Sequence, residues 1–83
     1  MILTEKDIKN QDKVIGLRQV VRCIKSNQLR CVLIATDVDE HIKQEIVAKS
    51  TAKDIPYVIK FTQKKLGEIA EIDVKCATLG LLK

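Results

Sequence analysis

The chain has 83 residues, a formal charge of +4, a pI near 9.1, and 46% apolar against 31% charged residues. That is the composition of one globular domain with a modest core, and it excludes a disordered chain. Tyr57 and Phe61 are the only aromatics, which excludes an RNA site built on several stacking rings, and no apolar run approaches a membrane span.

Met1-Ile2-Leu3 passes at once into Thr4-Glu5-Lys6-Asp7, so the start does not read as a secretory leader. The same four residues resemble a capping box and predict a short helix over about 4–10. Val14-Ile15 predicts a brief strand ending at Gly16. Leu17, Val20, Val21 and Ile24 then follow the i, i+3, i+4, i+7 spacing of one buried helix face, with Arg18, Arg22 and Lys25 on a different side and Gln19 on the same polar arc. Ser26-Asn27-Gln28 ends this helix.

"CVLIAT", residues 31–36, is a continuous apolar run that predicts a strand buried on both faces. Asp37-Val38-Asp39 turns the chain into a helix over about 39–53, with Ile42, Ile46 and Val47 inward. Residues 55–59 predict a second central strand, with Pro56 tolerated at its start. Thr62 can cap a helix through about Glu71 that buries Leu66, Ile69 and Ala70. Val74 to Leu82 predicts the last strand. Helices alternating with buried strands predict an α/β fold, a three-layer α/β/α sandwich with a small mixed central sheet, formed by residues 1–83 as a single domain.

Three cysteines without a C-x-x-C spacing agree with a reducing, cytoplasmic compartment, and Cys31 and Cys76 stand in apolar runs expected in the core. His41 is the only histidine. No serine or cysteine can be tied to it as a nucleophile, and it has no partner at metal-ligand spacing. "IATDVDE" is the sharper enzymatic candidate, since two carboxylates at the end of a buried strand resemble the magnesium site of haloacid-dehalogenase-type phosphotransferases. An Asp-x-Asp turn capping a helix is the more ordinary account of Asp37 and Asp39. Gly16, Gly67 and Gly80 are far apart, so no phosphate loop exists and no nucleotide cofactor is expected.

"GLRQVVR", residues 16–22, poses a different problem, because cations are unfavourable at a helix start. A solvated face with two arginines is the bland account. A nucleic-acid phosphate would turn the conflict into an asset, because helix-start N–H groups and guanidinium forks both bind phosphate oxygens. Gln19 could pair with a base edge, and Gly16 would let the backbone come close to a ligand.

With these residues in place, the chain is similar to the L-seven-Ae family of large-subunit ribosomal proteins and relatives that bind kink-turn RNA. The resemblance runs from about Asp12 to Leu82, on "VIGLRQVVRCIKSNQLRCVLIATDVD" and "IPYVIKFTQKKLGEIAEIDVKCATLGLL". Gly16, Arg18, Gln19 and Arg22 fall where small bacterial-type members carry glycine, a basic residue, glutamine and a second basic residue.

The resemblance implies a binding protein without catalysis, cofactor or metal. The helix start would enter a major groove opened beside tandem sheared G·A pairs, since undistorted A-form RNA keeps that groove closed to side chains. Gln19 would touch the guanine edges, and Arg18 and Arg22 would serve base edges or phosphates, with Lys25 further along the same face. Ile72, Asp73 and Val74 match the apolar loop that covers a flipped-out nucleotide. A kink-turn RNA, ribosomal RNA included, is then the expected partner of a monomer in the cytoplasm or on the ribosome. One departure stands out: Glu71 occupies a position where the family commonly has glycine. A magnesium-dependent phosphotransferase using Asp37 and Asp39, and a protein-interaction module with a basic helix face, are the alternatives.

Overall fold

The computed structural model describes residues 5–83. Chain order is α1 (Glu5–Lys9), β1 (Lys13–Ile15), α2 (Leu17–Lys25), β2 (Leu29–Ile34), α3 (Glu40–Ala52), β3 (Tyr57–Ile59), α4 (Gln63–Ile69) and β4 (Thr78–Leu82). The capping box expected from Thr4 lies outside the described residues. At its other end α1 is held by Lys13, whose ammonium donates to the carbonyls of Ile8, Lys9 and Gln11 at 3.1–3.4 Å. A cation there also suits the negative end of the helix dipole.

The four strands form one mixed sheet in the order β1-β4-β2-β3. Only β2 and β3 run parallel, with Leu33 opposite Val58; β4 is antiparallel to both β1 and β2. Helices flank the sheet and pack in pairs, α2 with α3 and α1 with α4. The expected sandwich is therefore the observed fold. Its core is aliphatic: Val20, Ile24, Val32, Leu33, Ile34, Ile46, Leu66, Leu79 and Leu81 are essentially inaccessible, and Cys23, Cys31 and Cys76 are buried free thiols. Burial pushes the thiols of Cys31 and Cys76 above the ordinary thiol range.

Three expectations need correction. Residues 55–59 do not make a central strand. The paired segment is only Tyr57–Ile59, and it lies at the sheet edge with Tyr57 and Ile59 exposed. An edge is where a strand preceded by proline fits, because Pro56 has no N–H to give a second neighbour. The strand expected over 31–36 is Leu29–Ile34: β4 pairs with Leu29 and Cys31, while Ala35 and Thr36 bond to Ala77 and Phe61 outside the ladder. The last strand begins at Thr78 instead of Val74.

Helices α2, α3 and α4 all end the same way. Asn27, Asp54 and Glu71 take left-handed φ values of 56°, 56° and 60°. Each N–H at that position bonds back three residues, to Ile24, Thr51 and Glu68. The next N–H, of Gln28, Ile55 or Ile72, bonds back five residues, to Cys23, Ser50 or Gly67, at 2.8–3.0 Å. This is the Schellman closure, normally built on glycine. Asn and Asp enter the left-handed region readily; glutamate does so against steric cost.

Candidate nucleic-acid interface

Gly16 precedes α2 with φ 97° and ψ 153°, a backbone region essentially reserved for glycine. A Cβ there would meet nothing within 4 Å, so conformation and not crowding demands the glycine. Its carbonyl accepts the first intrahelical bond, from Val20 N–H at 3.0 Å, and its own N–H donates to Thr78 O at 3.2 Å. No side chain caps the helix start and no acid lies in the first turn. The N–H groups of Leu17, Arg18 and Gln19 therefore point out of the helix without a protein acceptor of the capping kind.

Arg18, Gln19, Arg22 and Lys25 are exposed. Among the described residues, no ion pair engages the three cations. They border a shallow depression of about 450 Å³ with Val21 in its floor. The expected conflict with the helix dipole shrinks here. Because α2 has only nine residues, Arg22 and Lys25 stand in its last turn, where cations are favourable, and Arg18 alone opposes the dipole. At ~1.5 Å per residue, Lys25 lies roughly 10 Å along the axis from Arg18, so a ligand at the helix start meets Arg18 and Gln19 first.

Ile72, Asp73 and Val74 belong to the connection between α4 and β4. Its far end is fixed by Cys76 N–H to Gln63 O at 3.1 Å, and its near end by Ile72 N–H to Gly67 O at 3.0 Å. Residues 72–76 thus run back along α4 as a strap. Ile72 is half-buried, Asp73 is exposed, and Val74, at 68%, is the most exposed large apolar side chain among the described residues. A hollow of about 200 Å³ opens between the strap and α4, lined by Lys64, Glu68, Ile72, Asp73, Val74 and Lys75.

The strap leads directly into Thr78, whose carbonyl holds the Gly16 N–H. Thr78 is itself pinned in the core by its hydroxyl, which donates to Leu33 O at 2.7 Å. The buried Cys76 thiol lies at the same junction, donating to Thr78 O at 3.0 Å. The structure therefore brings the start of α2 and the strap to the same end of the sheet, through residues 16 and 78. Gly67, Cys76 and Thr78 are the positioning residues that sequence patterning does not select. One signal was available for Gly67, since a glycine inside a helical pattern is unfavourable without a packing reason.

The aspartate pair is accounted for by capping. Asp39 accepts from His41 N–H at 2.8 Å at the start of α3. Asp37 accepts from Gln63 N–H at 2.8 Å at the start of α4, and its carbonyl takes the Gln63 amide at 3.0 Å. Thr62 completes that cap by accepting from Lys65 N–H, as its sequence position suggested. Among the described residues, no group of three His, Cys, Asp or Glu side chains could hold a metal ion, and no helix is long and apolar enough to cross a membrane.

This fold and sequence place the chain in the ribosomal protein L7Ae/L30e/S12e/Gadd45 family, whose sequence profile matches residues 3–83. It is 33% identical over 79 residues to an RNA-binding protein of Halalkalibacterium halodurans, covering 95% of this chain and 96% of that one. It is 29% identical over 79 residues, with the same coverage, to the RNA-binding protein YbxF of Geobacillus stearothermophilus. Among solved structures, the Giardia lamblia 15.5kD RNA binding protein shares the fold with a TM-score of 0.83 and 20% identity, over 95% of this chain and 67% of that one.

Proposed function

We propose that residues 1–83 act as a single non-enzymatic domain that recognises kink-turn RNA, in the cytoplasm or on the ribosome. The observation that supports this most is the junction of Gly16 with Thr78, which sets an uncapped helix start at the same end of the sheet as a strap that exposes Val74. In this reading Gln19 offers its amide donor and acceptor to guanine edges of sheared G·A pairs. Arg18 and the free N–H groups of the first turn take phosphate oxygens, and Arg22 and Lys25 carry the backbone along the helix. Ile72, Asp73 and Val74 cover the nucleotide expelled at the kink. The curated relatives' description as RNA-binding proteins agrees with this assignment.

A gel-shift titration at moderate salt tests it. The domain is expected to bind a kink-turn RNA much more tightly than a duplex of equal length. Equal affinities would leave only nonspecific electrostatics, which the charge of +4 alone can supply.

A further inference from the structure

Gly67 sits in the middle of α4, where glycine is the weakest helix former after proline, and no left-handed φ calls for it. What calls for it is the strap. Between its two anchors at Gly67 O and Gln63 O, the strap crosses α4 at the face where Gly67 lacks a side chain. A Cβ at this position would overlap the Val74 carbonyl oxygen. It would also lie 3.4 Å from the Val74 carbonyl carbon and 3.6 Å from Lys75 Cα. All three are main-chain atoms, so no rotamer change relieves the overlap, and the middle of the strap must rise.

We infer that Gly67 is a specificity-determining positioning residue: by seating the Val74 carbonyl against α4, it sets the height at which Val74 meets an expelled nucleotide. This rests on the reading of the strap as the second RNA contact. Gly67 touches no RNA itself. Lifting the strap by a methyl group displaces Val74 and reshapes the hollow between α4 and the strap, while Arg18 and Gln19 keep their rigid helix. Selectivity for the expelled nucleotide then fails first, and general attraction to RNA persists.

The test pairs Gly67→Ala with two RNAs, a kink-turn and the same kink-turn with an abasic spacer at the expelled nucleotide. Alanine favours the helix, so α4 is expected to form, and a cooperative thermal melt checks this. Gly67→Ala is expected to weaken binding to the intact kink-turn at least about tenfold. Its affinity for the abasic RNA is expected to match wild type within about twofold, because the contact it disturbs is already gone. A folded variant that binds the intact RNA like wild type overturns the inference. So does an equal loss on both RNAs, which marks a merely structural role.

Hydrogen exchange on the wild-type protein keeps the inference testable if the variant does not fold. The Ile72 and Cys76 amides are expected to exchange as slowly as those inside α4, and free-coil exchange would overturn the seat. Should wild type bind intact and abasic RNA alike, the strap's role in RNA recognition fails and the specificity inference falls with it, whatever the exchange rates show.

Discussion

The start of α2 and the strap reach the same end of the sheet by opposite means. On α2, exposed side chains stand on a helix whose buried face, Val20, Cys23 and Ile24, is locked into the core. Rigidity there comes from side-chain packing, and the working groups are free to be polar. The strap has no regular structure and gives the core only Cys76 at its far end, with Ile72 at the margin. It is held through main-chain contacts: two hydrogen bonds to α4, the seat at Gly67 and the left-handed turn at Glu71. Chemistry is therefore adjustable on α2 by single side chains, while shape on the strap depends on main-chain contacts and the seat at Gly67.

Side-chain substitutions on α2 should separate its base contacts from its phosphate contacts, and they carry the largest expected effect. Gln19→Ala should cost roughly 1–3 kcal/mol on a kink-turn and little on duplex RNA. Arg22→Ala should weaken binding to both and reduce the slope of log affinity against log salt, because one phosphate contact and its released counterion are lost. Filter-binding titrations across ionic strength measure both. If Gln19→Ala binds a kink-turn like wild type, Gln19 reads no base.

A backbone substitution at the strap should give a smaller effect. Glu71 holds φ 60° at the Schellman position of α4. Relief of left-handed strain by glycine is worth about 1–2 kcal/mol, and the greater freedom of the unfolded chain returns about 0.4–1 kcal/mol of it. Glu71→Gly should therefore raise stability by up to about 1.5 kcal/mol in urea unfolding. Removing its charge from the vicinity of phosphates adds a binding gain of only about 0.4–0.5 kcal/mol at ~8–10 Å in water-like dielectric, shrinking as salt rises. Unchanged or weaker binding at low salt would place the strap away from RNA.

The same contrast explains what could be read in advance. Helix α2 was legible because one apolar face repeats at helical spacing, and its N-terminal glycine and polar arc lie in plain sequence order. The sandwich followed from helices alternating with apolar runs. Edge and centre were not legible in β3, since an apolar stretch does not reveal on which side its neighbour lies. The segment from Val74 was misread as strand because its apolar residues resemble one, yet ahead of Thr78 it bonds to α4, through Cys76 N–H to Gln63 O, and joins no ladder. Residues 72–74 entered only through family resemblance. Thr78 is fixed by contacts with Gly16 and Leu33, far from it in sequence, and the Gly67 seat by the way the chain folds back to bring Val74 onto α4. Arg22 stands in the last turn because α2 has only nine residues, and in so short a helix the same arginine is near both ends.

Amide chemical shifts recorded while kink-turn RNA is added test most directly whether the two regions form one surface. The account predicts that Leu17, Arg18 and Gln19 shift together with Ile72, Asp73 and Val74, with one common affinity, while the exposed edge strand Tyr57–Ile59 stays unperturbed. Perturbation confined to α2 or centred on β3, with the strap silent, would contradict it.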